Sequence, residues 1–143
     1  MKLIPCLVFA LLPLSPLAHS AAQTQVFTPA AGPVSITPLN HASTLIEAGG
    51  KIIYLDPAKP ANFSGQPKAD LILITDIHGD HMDPDSIKEI GKAGTDILAP
   101  PAEGATVTSH KPIAHSDTQT WPDWNLQATP ARNQHAARAS RPT

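Results

Sequence analysis

Cysteine is almost missing from this sequence, and the one present, Cys6, sits near its start. A mature chain beginning after residue 22 would have none, which excludes disulfides, a cysteine nucleophile and any thiolate metal site. Aromatic residues make up only 4% of the chain, leaving few large anchors for a core or a stacking surface. Charge is sparse as well: the formal net charge is -2, and basic residues do not cluster before the extreme C-terminus. Nucleic acid is therefore a poor partner. No internal repeat or heptad pattern is present. The apolar run over residues 3–17 is short and broken by Pro5, Pro13 and Pro16, so it does not suit a membrane span.

That run has a different use. Lys2 gives it a positive start, and Ala18, Ser20, Ala21 and Ala22 follow as small residues suited to a signal peptidase. Residues 1–22 are thus expected to be a secretory signal, with a periplasmic or secreted product that keeps no membrane attachment after cleavage. Cys6 precedes the apolar run instead of ending it, which argues against a lipoprotein. The mature chain, roughly 120 residues, suits one modest domain. Residues 23–33 read as a polar leader, residues 34–133 as a partial domain, and residues 134–143, biased to Ala, Arg and Pro, as a disordered tail.

Within the domain, residues 34–38 and 43–48 are short apolar runs. Gly49-Gly50 then separates residues 44–47 from 52–55, a hairpin signal because both glycines tolerate positive φ. Asp56-Pro57 ends the second strand, and residues 58–68 have the composition of an exposed loop. Residues 69–75 (ADLILIT) form a short β-branched run that predicts a strand buried on both faces. Asp83-Pro84 predicts an N-cap and first helical turn, with a helix to about Ala93 and a stop at Gly94. Residues 96–99 read as another strand, and residues 118–121 and 124–129 as a hairpin around Pro122-Asp123. The fold class is α/β (α+β).

Chemistry concentrates between the buried strand and the helix. Four of the six residues of Asp76-Ile77-His78-Gly79-Asp80-His81 can ligate a metal. Packed elements on both sides pin the loop, lowering the entropy cost of bringing its groups together. Two His and two Asp favour a hard or borderline divalent ion. The bland alternative is a solvated turn with a helix cap. Elsewhere, His110 and His115 lack ligand spacing and are expected at the surface, while Trp121 and Trp124 suit a small core.

The loop resembles the His-x-His-x-Asp-His signature of the metallo-β-lactamase-fold hydrolases. Asn40-His41-Ala42-Ser43, Asp56-Pro57, Ala69-Asp70-Leu71-Ile72 and His81-Met82-Asp83-Pro84 resemble, in particular, the branch containing ascorbate-6-phosphate lactonase. The resemblance implies the N-terminal half of an αββα sandwich, incomplete because no Gly-Asp-Thr motif or final histidine is matched. It also implies hydrolysis of an ester, lactone or phosphoester through metal-bound hydroxide, with substrate undefined. His78 would ligate the first of up to two divalent ions, zinc or manganese, and Asp80 and His81 the second, with Asp80 doubling as catalytic carboxylate. Asp76 stands where the family has its first histidine and would ligate as a carboxylate. Asp56 would orient the site from behind, with His41 near the pocket. His135 is the weakest ligand candidate, since its surroundings do not match. An unfinished sandwich would expose strand edges and invite self-association. The rival expectation is a catalytically inactive fragment that binds metal weakly or not at all.

Overall fold

Gly49 and Gly50, at φ 55° and 72°, make the turn that the sequence predicts, and the strands on either side open the main sheet. The computed structural model describes residues 23–101, 107, 110–114, 116–122 and 124–129. The expected signal segment, the tail, His115 and His135 lie outside the described residues. Seven strands pair in chain order: β1 (Gln25–Phe27), β2 (Val34–Asn40), β3 (Ser43–Ala48), β4 (Lys51–Leu55), β5 (Leu71–Leu73), β6 (Asp96–Ala99) and β7 (Lys111–Pro112). The first four form an antiparallel meander, and β4 to β7 run parallel. One helix, α1 (Pro84–Ile90), lies in the connection from β5 to β6, and a separate hairpin pairs β8 (Thr118–Trp121) with β9 (Trp124–Gln127).

Alternation along the strands sends side chains to two faces. Leu45, Tyr54, Ile72, Ile74 and Ala99 face Ile87 and Ile90 of the helix. Ile53, Leu71 and Leu98 face Trp121, with Ile46, Leu73, Trp124 and Leu126 packed around them. The two tryptophans therefore cover a core, and Trp121 Nε1 also donates to Asp96 at 2.9 Å. Beyond this hairpin, Leu55, Leu73, Leu98, Ile113 and Leu126 line an apolar cleft of about 680 Å3.

Several expectations need correction. The leader contains a strand, β1, at the sheet edge, where Val26 and Phe27 stay exposed. Residues 58–68 are not simply an exposed loop. A connection between parallel strands must cross a sheet face, and this one buries Ala58, Ala61 and Phe63, the last set edge-on to Tyr54 at 6.0 Å. The predicted strand 69–75 shortens to Leu71–Leu73. The helix stops at Ile90 with Gly91 as its cap, before the predicted Gly94. Thr95 Oγ1 explains the early stop: it accepts the Lys92 N–H and donates to Ala69 O, turning the chain toward β6. Strand β7 had no signal in the sequence, because its two residues include Pro112. His110 is half-buried, with Nδ1 2.8 Å from Val107 O. Among the described residues, no helix is long and apolar enough to cross a membrane.

Candidate metal centre

The parallel strands β4 and β5 end side by side, and the residues just past their ends build a floor. Asp56 follows β4 in the left-handed region, at φ 46°, a conformation Asp tolerates better than most residues. Its N–H donates to Leu73 O at 2.9 Å. Its carboxylate is buried and fully engaged. Oδ1 accepts the Thr75 N–H at 2.7 Å, and Oδ2 accepts the Thr75 hydroxyl at 2.6 Å. The same Oδ2 lies 2.9 Å from His81 Nδ1. Buried Ser43 braces the bend, donating to Asp56 O at 2.7 Å and accepting the Ala58 N–H at 3.1 Å.

Above this floor the loop is tied down at both ends. His81 N–H and Met82 N–H both donate to His78 O, closing a tight turn, and Asp83 N–H donates to Pro57 O at 3.2 Å. Asp83 caps α1 as predicted, accepting the Ser86 N–H at 3.1 Å. Asp76 Oδ1 accepts the His78 N–H at 3.1 Å and lies 2.5 Å from His78 Nδ1. This second Asp–His pair is open to solvent, with side chains 46% and 77% exposed, against 4% and 28% for Asp56 and His81. Asp80 reaches back toward the floor, its Oδ2 3.8 Å from His81 Nε2. His41, at φ 50°, sets its ring edge-on to His81 with centroids 6.5 Å apart.

The electrostatics follow this geometry. The hydrogen bond to Asp56 holds the His81 imidazolium above its ordinary value; partial burial opposes this, and the charges of Asp56, Asp80 and Asp76 add to it. The His78 backbone N–H, then its ring, holds the Asp76 carboxyl below the ordinary range.

The expected site residues therefore divide into two groups. Asp56, His81 and Asp80 form a chain of contacts, and Asp76 and His78 form a second unit. Among the described residues, no three His, Cys, Asp or Glu side chains converge in a way that would hold an ion. The donor chemistry does fit a divalent cation in part. With Nδ1 engaged by Asp56, His81 has Nε2 left over, and the Asp80 carboxylate is beside it. Two ligands each about 2 Å from one ion stand a little over 3 Å apart, close to the 3.8 Å seen. Sequence reasoning missed Thr75. Its only signal is a hydroxyl residue closing an apolar run immediately before the loop.

Residues 35–141 match the family described as "Beta-lactamase superfamily domain". The chain belongs to this family, and its mixed α/β architecture agrees with a partial sandwich of that fold. A protein from Parabacteroides distasonis named as a metal-dependent hydrolase, of known crystal structure, superposes with a TM-score of 0.75 at 32% identity, over 82% of this chain and 55% of that one. A UPF0173 metal-dependent hydrolase from Thermodesulfovibrio yellowstonii is 38% identical over 77 residues, 48% of this chain and 28% of that protein. CmlA, a diiron beta-hydroxylase from Streptomyces venezuelae, shares the fold at a TM-score of 0.55 and 20% identity, over 71% of this chain and 24% of that one. The chain thus spans about half or less of the length of these relatives.

Proposed function

We propose that this chain carries the metal loop of a metal-dependent hydrolase acting on an ester, lactone or phosphoester. One observation carries the reading: buried Asp56 engages His81 Nδ1, and His81 Nε2 faces the Asp80 carboxylate. A histidine whose far nitrogen is held by a carboxylate is the usual arrangement behind a metal ligand. Resemblance to two proteins named as metal-dependent hydrolases supports it further.

In this reading His81 presents Nε2 and Asp80 its carboxylate to one divalent ion, zinc or manganese, while His78 presents the ring nitrogen that Asp76 leaves unengaged. Asp76 itself is the harder alternative ligand, and up to two ions are accommodated. A bound ion there would supply Lewis acidity and lower the pKa of a water from about 15.7 toward 7. Asp56, Thr75 and Ser43 hold the ligands from behind, and His41 borders the approach. The flanking sequence matches make a phosphorylated sugar-acid lactone the first substrate to try. Residues 1–22 would direct the product to the periplasm or outside the cell, and open strand edges would favour self-association.

The pairing of Asp76 with His78 in solvent favours a second reading, a catalytically inactive chain with weak or no metal binding. Metal analysis of the purified chain after incubation with Zn2+ or Mn2+ separates the two, with His81→Ala as control. Stoichiometric metal lost in the variant, together with hydrolysis of a lactone or phosphodiester panel, supports the hydrolase. Metal without turnover supports the inactive chain, and no metal in the wild type rejects the site.

A further inference from the structure

We propose that Thr75 is a positioning residue for His81: its amide and hydroxyl together clamp the Asp56 carboxylate so that His81 carries its proton on Nδ1 and keeps Nε2 unprotonated. The inference rests on the candidate site described above and deepens it by assigning a proton to a particular nitrogen. The argument is a count of donors and acceptors. As a carboxylate Asp56 offers only acceptors, and it meets three hydrogen-bonding groups: Thr75 N–H at 2.7 Å, Thr75 Oγ1 at 2.6 Å and His81 Nδ1 at 2.9 Å. Thr75 has one hydroxyl proton. At 2.6 Å that proton belongs to Asp56 Oδ2, so Thr75 Oγ1 turns a lone pair toward His81 Nδ1, 3.3 Å away. His81 Nδ1 therefore faces two oxygens that both accept. An unprotonated Nδ1 would set lone pair against lone pair beside the buried Asp56 carboxylate, at the cost of an unmet hydrogen bond.

The clamp also explains why a carboxylate alone is insufficient. Free to rotate, Asp56 would offer either oxygen to the ring at varying angles. Thr75 holds one oxygen through its backbone and the other through its side chain, which fixes the carboxylate plane and aims the remaining lone pair of Oδ2 at the imidazole. Asp56 is itself held by its own N–H to Leu73 O at 2.9 Å. The clamp thus spans the ends of the two adjacent parallel strands, and His81 inherits its orientation from the sheet. His81 Nε2 is left facing Asp80 at 3.8 Å.

The test uses the full chain free of metal, at a pH where the ring is neutral. Long-range 1H–15N correlation spectra report which His81 nitrogen carries the proton. The wild type is expected to show the Nδ1–H form alone. Thr75→Val, which keeps the shape and deletes the hydroxyl, is expected to give a mixture of both forms and to weaken Zn2+ binding by about 10- to 100-fold. Thr75→Ser is expected to restore the single form and the affinity. A wild-type His81 protonated on Nε2 overturns the proposal without any variant, as does a Thr75→Val chain with an unchanged tautomer or a serine that fails to rescue. Because the spectra need no metal, a wild type that binds no Zn2+ rejects the proposed function and leaves the tautomer result to decide this inference.

Discussion

Two Asp–His pairs meet at the loop that follows β5 and are built in opposite ways. Asp76 and His78 are two residues apart, and a local turn brings them together in solvent. Asp56 and His81 are distant in sequence, and the sheet brings them together beside the Thr75 hydroxyl. A local turn can form in many contexts, whereas the second pair exists only when β4 and β5 are docked. The same chemistry is therefore a surface feature in one case and a readout of the folded state in the other.

The largest effect should come from breaking the buried pair. Asp56→Ala leaves Thr75 N–H, the Thr75 hydroxyl and His81 Nδ1 without their acceptor and puts alanine at a positive φ. A loss of about 3 kcal/mol is expected, read as a fall in the urea midpoint. Ser43→Ala, which strips the brace from the Asp56 bend, should cost about 1–3 kcal/mol by the same measurement. A smaller, pH-dependent effect belongs to the framework carboxylates away from the loop. Hydrogen bonds from Lys92 and from the Ile52 N–H hold Asp70 below its ordinary value, and those from Lys111 and Trp121 do the same for Asp96. A lowered folded value stabilises the fold above the ordinary carboxylate range, and that contribution is lost as pH falls through the lowered values. Stability should therefore drop below about pH 4, with a shallower fall in Asp70→Asn and Asp96→Asn; an unchanged slope would dismiss the two contacts. The smallest effect is expected at the exposed pair, where His78→Ala should shift stability by no more than about 0.5 kcal/mol. A large loss there would show that the two pairs are coupled.

The same contrast explains what was legible in the sequence. The Gly49-Gly50 turn, the short apolar strand before the loop and the Asp83 cap are local signals, and each appears in the structure near where it was read. The loop residues were visible as a dense run of ligating types. Their division into two pairs was not, because it depends on which oxygen of Asp56 the sheet turns toward His81. The role of Thr75 was hidden for the same reason: a threonine at a strand end has no distinctive spacing. Burial of Phe63 has no sequence signal, because turn-rich composition says nothing of what lies beneath a crossover. The helix end moved from Gly94 to Gly91 because Thr95 bonds to Ala69, a contact between residues far apart in the chain.

The change from antiparallel to parallel pairing at β4 has a kinetic consequence. Strands β2 to β4 are joined by tight turns and need little loop closure, whereas β5 must return across a long connection before it can pair. Asp56 stands on that boundary, at the end of the fast-forming part and facing the slow one. In pulsed hydrogen exchange during refolding, the amides of Ile46 and Ile53 should gain protection before that of Thr75. His81 would then acquire its orientation among the last events of assembly.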